Sequence, residues 1–243
     1  MKKILLVLLL TLPLSVQGKI YAIFVGVSEY ELPIDNLVYS HRDAIEMYEL
    51  MKEHTAPDRV KLLINDQAKY DSIVSYTAQL FRRANPDDVV LFFFSGRGQG
   101  NAFYANDKIL YLSKLNEIFK QTKARRKLIF ADACYSGTLS GESDNQAVPD
   151  GSKGLDSNVL LYLSSRSDQY ATGSTSFRNG VFTYFLLTGL RGGADANKNG
   201  SITAKELYDY VNPKVKERTN GKQIPSMRGK FDTGMVILKL KGK

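Results

Sequence analysis

The sequence contains one cysteine in 243 residues, and it has no internal repeat and no low-complexity tract. A single cysteine cannot form an internal disulfide bond. After residue 18, no run is apolar enough to cross a membrane. Because 43% of the residues are hydrophobic and 24% are charged, the composition lies in the globular range. It excludes a disordered tail, a collagen and a coiled coil, and the length suits one large domain.

Acidic residues are the minority among the charged ones, with 25 Asp and Glu against 33 Lys and Arg. The resulting net charge of +8 is spread along the chain. Its densest clusters, at residues 123–127, 214–218 and 239–243, are short and contain no aromatic side chains. We therefore predict solvated helix faces there and no nucleic-acid partner.

The first 18 residues have the pattern of a bacterial secretory signal peptide. Lys2 and Lys3 precede an apolar core that is too short to span a bilayer, and small Gly18 follows. A buried first strand would explain the apolar core but not the two lysines. No cysteine lies at the predicted cut to carry a lipid. We expect a soluble product, secreted or periplasmic, with a single domain over residues 19–243.

Apolar runs without helical periodicity alternate with amphipathic helical patterns. This order predicts an α/β, doubly wound, mainly parallel six-stranded sheet with helices on both faces. Residues 138–157 are rich in Gly, Ser, Asp and Asn and predict a mobile surface loop. The predicted strands are 20–27, 60–64, 88–94, 127–131, 158–163 and 234–240, and the predicted helices are 43–53, 71–83, 112–122, 181–190 and 203–215.

The only cysteine follows one of these predicted strands. Ligands of such sheets bind beyond the carboxyl ends of the strands. Cys134 lies at one of those ends, two residues after Asp132 and beside a turn of small residues. The position favours a reactive thiol over a buried apolar side chain.

Two segments that follow strands resemble a known family. Residues 130–137, FADACYSG, resemble the D-x-C-x-S-G nucleophile turn of caspase and metacaspase-like cysteine peptidases, and residues 92–100, FFFSGRGQG, resemble their F-S-G-H-G turn. The blocks at 37–44, 164–169 and 179–192 also resemble this family, in the same order. The resemblance covers residues 20–240. It implies a caspase-like fold, a Cys134 nucleophile, an oxyanion turn at Gly96 and Gly98, and no required cofactor.

One position departs from the family pattern. Arg97 stands where the catalytic histidine is expected. Arginine does not give up a proton at working pH, although its charge can stabilise Cys134 as a thiolate. The resemblance therefore implies weakened or absent peptidase activity. His41, at the start of the first helix, is a possible substitute base, and His54 is predicted to be solvated.

The resemblance also implies an acidic substrate pocket. In the metacaspase-like branch, acids at the positions of Asp132 and Asp43, with Ser40 and Ser95 beside them, hold Arg or Lys at P1. We expect peptide or protein substrates with these basic residues. The alternative is that the two acids cap local structure. A further interpretation is that Arg97 itself occupies the pocket by bridging to the acids.

A later segment matches the EF-hand calcium loop, with a ligand-type side chain at alternating positions and a glutamate at position 12. The match predicts a weak Ca²⁺ site. The alternative is a helix-start connection whose glutamate lies in the first helical turn. The candidate ligands are Asp195, Asn197, Asn199, Ser201 and Glu206.

Two functions lead at this point, and a third alternative is a calcium-gated binding module, which would need a metal-dependent shift in stability. The first is a cysteine endopeptidase that cleaves after Arg or Lys with reduced activity. The second is a catalytically dead pseudopeptidase that binds basic peptides or regulates a true peptidase. Active relatives of this type often cut themselves after a basic residue in the corresponding loop. In this sequence the loop is 138–157, and Lys153 is its only Lys or Arg.

Overall fold

The predicted apolar runs form the strands of a computed structural model, which describes residues 18–133, 159–164 and 178–241. Residues 1–17 of the predicted signal peptide and the loop at 138–157 lie outside the described residues. The described strands are β1 (Ile20–Gly26), β2 (Val60–Ile64), β3 (Val89–Gly96), β4 (Gly98–Gln99), β5 (Ala102–Tyr104), β6 (Ile109–Tyr111), β7 (Arg126–Ala133), β8 (Val159–Leu163), β9 (Ser201–Thr203), β10 (Ser226–Arg228) and β11 (Val236–Lys239).

Five α-helices lie close to the predicted positions. Their first and last residues differ from the predicted ones by at most three positions. They are α1 (Ser40–Lys52), α2 (Tyr70–Phe81), α3 (Leu112–Gln121), α4 (Val181–Thr188) and α5 (Ala204–Arg218). Among the described residues, none of the helices has both the length and the apolar character that a membrane span requires.

The central sheet has six strands in the order β10-β8-β7-β3-β1-β2. Neighbouring strands are parallel except β10, which runs antiparallel to β8. The predicted α/β class and mainly parallel six-stranded sheet are confirmed. The sixth strand differs, because β11 pairs with β9 in a separate two-stranded sheet. The sixth strand is β10, which has three half-buried residues and no apolar run to mark it.

Helices cover both faces of the sheet. Phe24, Phe93 and Phe130 point to the face that α1, α4 and α5 cover. Alternate residues such as Phe92 and Ile129 point to the face that α2 and α3 cover. Since both faces are buried, the central strands are apolar throughout rather than alternating.

Strands β3 and β7 are longer than the sequence predicts. Each extends past the predicted end by two residues, so that Ser95 and Asp132 lie inside strands and opposite each other in register. Residues paired in this way point to the same face of a sheet. The pleat therefore fixes both side chains on the face covered by α1 and α4.

A small three-stranded sheet, β4-β5-β6, follows β3 and was not predicted. Phe103 of β5 stacks on Phe94 of β3 with 4.5 Å between ring centroids. This contact places the small sheet on the α2 and α3 side. It also fixes the chain that follows β3, which includes Arg97.

Candidate active site

Asp43 is buried in the first turn of α1, with 1% of its surface exposed. Its Oδ2 accepts a hydrogen bond from the Ser95 hydroxyl at 2.8 Å. Its Oδ1 accepts from Asn179 Nδ2 at 3.1 Å and from the Gly180 main-chain N–H at 3.0 Å. The carboxylate therefore joins α1 to β3 and to the start of α4. Ser40, the first residue of α1 and three positions before Asp43, is also buried.

Asp132 is fully buried at the carboxyl end of β7. Its Oδ1 accepts from the Ser164 hydroxyl at 2.8 Å. Its Oδ2 accepts from Thr183 through the hydroxyl at 2.8 Å and through the main-chain N–H at 3.3 Å. A buried carboxylate requires such donors, because an unpaired buried charge is costly.

The two carboxylates together cap helix α4. Gly180 is the N-cap residue and has no side chain to accept from the first turn, so the acceptors come from elsewhere in the fold. Asp43 accepts from Gly180, and Asp132 accepts from Thr183, the third residue of the helix. The negative charges also suit the positive end of the helix dipole. The alternative that the two acids cap local structure is therefore present in this fold. The capped helix is α4, which is distant in sequence from both acids.

Arg97 lies between Gly96, the last residue of β3, and Gly98, the first residue of β4. Its main-chain N–H donates to the Tyr30 hydroxyl at 2.7 Å, and its Nε donates to the main-chain oxygen of Asp35 at 3.1 Å. A side chain at position 96 would come within 2.9 Å of the same Tyr30 hydroxyl, which explains the glycine.

Arg97 does not bridge to the paired acids. Among the described residues it forms no ion pair with Asp43 or Asp132. The interpretation that Arg97 fills the acidic pocket is therefore wrong. The physical reason is that Arg97 Nε is hydrogen-bonded to the main-chain oxygen of Asp35, while the acids are hydrogen-bonded to Ser95, Ser164 and the start of α4.

His41 is half-buried in the first turn of α1 and contacts Ser28. Its Nδ1 lies 2.8 Å from the Ser28 hydroxyl, which also accepts the His41 main-chain N–H at 3.0 Å. Asn65 Oδ1 in turn accepts the Ser28 main-chain N–H at 3.0 Å. If Nδ1 carries the proton and donates to Ser28, then Nε2 has the lone pair that a general base needs. The role of His41 as a base stays a prediction.

His54 is half-buried rather than solvated. Burial lowers the pKa of its imidazole below the ordinary value of 6.5, although Glu53 and a hydrogen bond with the main chain of Lys239 act in the opposite direction. The expectation of a solvated side chain is therefore wrong. Its position after α1 brings it against the strand β11, which the sequence pattern does not reveal.

Cys134 lies outside the described residues. The preceding residue, Ala133, is the last of β7 and pairs in register with Gly96. The chain therefore leaves β7 at the position where β3 leads into Arg97. The nucleophile role of Cys134 stays a prediction.

The EF-hand-like loop is folded by its own side chains. Asp195 accepts from the main-chain N–H groups of Asn199 and Gly200, and Asn197 and Asn199 accept in the same way from nearby residues. Glu206 forms a capping box with Thr203 at the start of α5 and also accepts from Asn197 Nδ2 at 2.8 Å.

These contacts agree with the alternative that the loop is a connection that begins helix α5, with Glu206 in the first turn. Among the described residues, no group of three or more His, Cys, Asp or Glu side chains is arranged to hold a metal ion. The donors of the loop include amide and hydroxyl oxygens, which Ca²⁺ accepts as ligands. Calcium binding by Asp195, Asn197, Asn199, Ser201 and Glu206 therefore stays a prediction.

Ser164 and Tyr30 directly follow strands or lie close to their ends, and the sequence marks both by that position. Asn179 and Thr183 lie in the block 179–192 that resembles the family, but the sequence does not predict their contacts with the acids. Nothing local in the sequence marks Asn65, which contacts Ser28.

Comparison with known proteins agrees with this fold. The family model of the caspase domain (peptidase C14) matches residues 19–233. The fold is similar to that of a structure titled pro-sf-caspase-1, with a TM-score of 0.69 and 16% identity, covering 90% of each chain. It is also similar to caspase-1 from Spodoptera frugiperda, with a TM-score of 0.66 and 16% identity, covering 93% of this chain and 92% of the other. A search of curated proteins gives no match.

The fold and the family match together define a caspase-like peptidase domain. The chain belongs to the caspase domain family of cysteine peptidases.

Proposed function

We propose that the chain is an exported cysteine endopeptidase in which Cys134 is the nucleophile and Arg97 slows turnover. The observation that carries the proposal is the position of Arg97, in the turn after β3 with its Nε bonded to the Asp35 carbonyl oxygen. A guanidinium near a thiol favours the thiolate but cannot return a proton to the leaving amine. The chain therefore retains a nucleophile while it lacks the usual general acid.

The missing proton transfer sets the size of the defect. Positioned acid–base groups contribute typically about 10² to 10⁴ in rate. That range corresponds to roughly 3 to 5 kcal/mol of activation free energy. We expect slow but measurable turnover, because the nucleophile and the substrate contacts do not depend on a histidine.

The substrate class we propose is a peptide or protein with Arg or Lys at P1. Asp43 and Asp132 supply two negative charges at the carboxyl ends of β3 and β7, where ligands of such sheets bind. The proposal requires a substrate cation to replace the Ser95 hydroxyl at Asp43 Oδ2. Arginine is the stronger ligand, since its planar group pairs with carboxylates through two parallel bonds.

The test is a set of fluorogenic peptides that differ only in P1, with Arg, Lys, Gln or Asp. The proposal expects cleavage of the Arg and Lys peptides by the protein beginning at Lys19, and loss of that cleavage in Cys134→Ala. Asp43→Asn should lower kcat/KM for Arg and Lys more than for Gln. Equal rates for all four peptides would reject the P1 assignment, and a Cys134-independent rate would reject the nucleophile.

The alternative is a pseudopeptidase that binds basic peptides without cleaving them. Arg97 at the position of the family's histidine favours it, because a guanidinium does not accept a proton. Fluorescence anisotropy with the Arg and Gln peptides distinguishes the two. Arg-dependent binding with no turnover identifies the binder.

We also propose that residues 1–18 direct export, to the periplasm or the extracellular space. Lys2, Lys3 and the apolar stretch after them support this. Expression in a bacterial host, followed by fractionation and intact-mass measurement, tests it. A periplasmic product that begins at Lys19 is expected, and an uncut cytoplasmic product would contradict it.

A further inference from the structure

Next to Arg97 lies an open cleft of about 390 Å³. One wall is the segment after β1, with Pro33, Ile34 and Asp35, and the other is the β4–β5 hairpin, with Gln99 and Tyr104. Neither Asp43 nor Asp132 is among the described residues that line it.

The guanidinium of Arg97 is held at one corner of this cleft. Its main chain is fixed on both sides, because the N–H donates to Tyr30 and the carbonyl oxygen accepts from the Tyr104 N–H at 2.9 Å. Its Nε donates to Asp35 O. Arginine has five N–H donors, and those on Nη1 and Nη2 have no hydrogen-bond or ion-pair partner among the described residues. The pair of terminal amino groups is the part that binds carboxylates.

Gln99 adds a second donor. Its Oε1 accepts from the Tyr104 hydroxyl at 2.9 Å. The Nε2 amino group at the other end of the amide is the hydrogen-bond donor. Gln99 is exposed on the rim of the cleft. Among the described residues that line the cleft, the one acidic side chain is Asp35, which is exposed and forms no ion pair with Arg97.

We propose that this cleft is a binding site for a peptide carboxylate, with Arg97 as the ion-pair partner and Gln99 as a second donor. The inference extends the proposed function, because it makes the preferred ligand a peptide that carries both a basic and an acidic group. The basic group faces Asp43 and Asp132, and the acidic group enters the cleft beside Arg97. Arginine at position 97 then serves recognition, which a histidine in its neutral form would not.

The carboxylate has two possible sources, an Asp or Glu side chain or a peptide C-terminus. The probes are dye-labelled peptides with one Arg, amidated at the C-terminus and carrying Glu at one to three residues on either side of the Arg. Matched peptides carry Gln in place of Glu. A third set has no Glu and ends in a free carboxylate. Binding is measured by anisotropy in the Cys134→Ala protein, so that cleavage does not interfere.

The proposal expects tighter binding, by about 10-fold, of the Glu peptides than of the Gln peptides, of the free-carboxylate peptides than of the amidated ones, or of both. The reason is that one charged pair is gained. Arg97→Gln should remove this preference. Arg59→Gln is the control, because Arg59 precedes the amino end of β2 and Arg97 follows the carboxyl end of β3, and this variant should keep the preference. Asp35→Asn should strengthen carboxylate binding several-fold, because it removes the one acidic side chain of the cleft wall. The preference should also shrink as salt increases.

Equal affinity for Glu and Gln peptides and for the two types of C-terminus would overturn the proposal. So would a preference that survives Arg97→Gln, or no carboxylate-dependent binding at about 1 mM peptide. If the Arg97 variant fails to fold, Asp35→Asn still tests the proposal, because misfolding would not give the expected gain in carboxylate binding. Carboxylate-dependent binding without cleavage by the native protein would reject the peptidase and leave this site intact.

Discussion

Arg97 donates from Nε to the carbonyl oxygen of Asp35 at 3.1 Å, and among the described residues it forms no ion pair with Asp43 or Asp132. The acids are instead hydrogen-bonded to Ser95, Ser164 and the start of α4. Arg97 and the two acids are therefore held by separate sets of hydrogen-bond partners.

The buried Asp132 carboxylate should be important for stability. Asp132→Asn replaces one acceptor oxygen by an amino group that cannot accept from Ser164 or Thr183. We expect a loss of about 2 kcal/mol in the free energy of unfolding, measured by urea denaturation. Asp71→Asn, whose side chain is 82% exposed, is the control and should change it by less than about 0.5 kcal/mol. A variant as stable as the native protein would refute the cap.

The stability of the protein should fall as the pH decreases through the range in which His54 titrates. Burial lowers the pKa of His54 in the folded state, so below pH 6.5 the unfolded state binds more protons. The free energy of unfolding should therefore decrease between about pH 7 and pH 5. His54→Gln should flatten this part of the curve. Identical pH profiles for the two proteins would contradict the assignment.

Glu206 should stabilise α5 whether or not calcium is present. Glu206→Ala removes half of the capping box with Thr203, which should cost about 1 kcal/mol. The measurement is Tm in EDTA and in millimolar CaCl₂. A loss that appears in both conditions supports the cap. A rise in native Tm with calcium, abolished in Glu206→Ala, would establish the calcium site.

His41 should contribute more to the β1–α1 junction than to catalysis. Its Nδ1 and its main-chain N–H both contact the Ser28 hydroxyl. We expect His41→Gln to change kcat/KM for an Arg substrate by less than about 10-fold, because a general base is typically worth more than that. A loss of about 10² or greater, together with a shifted pH–rate profile, would instead identify His41 as the base.

The sequence predicts the fold well because its central strands are buried on both faces. Residues such as Phe92, Phe93 and Phe94 leave little choice of structure. The edge strand β10 is short and half-buried, so its sequence carries no such signal.

The site was predictable where its residues directly follow strands, as Arg97 does. The contacts that orient it were not, since Thr183 is 51 residues from Asp132 and Asn179 is 136 residues from Asp43. The Arg97 side chain is held by the main-chain oxygen of Asp35, which is 62 residues away. Contacts at such separations follow from the packed fold and not from a local pattern.

The most direct test of the central claim compares the native protein, Arg97→His and Arg97→His with Cys134→Ala on a fluorogenic Arg substrate. We predict that Arg97→His increases kcat/KM by about 10² to 10⁴, because it supplies the missing proton transfer. The increase should vanish when Cys134 is also replaced. No increase in Arg97→His, in a protein that unfolds as the native one does, would contradict the claim that Arg97 limits turnover.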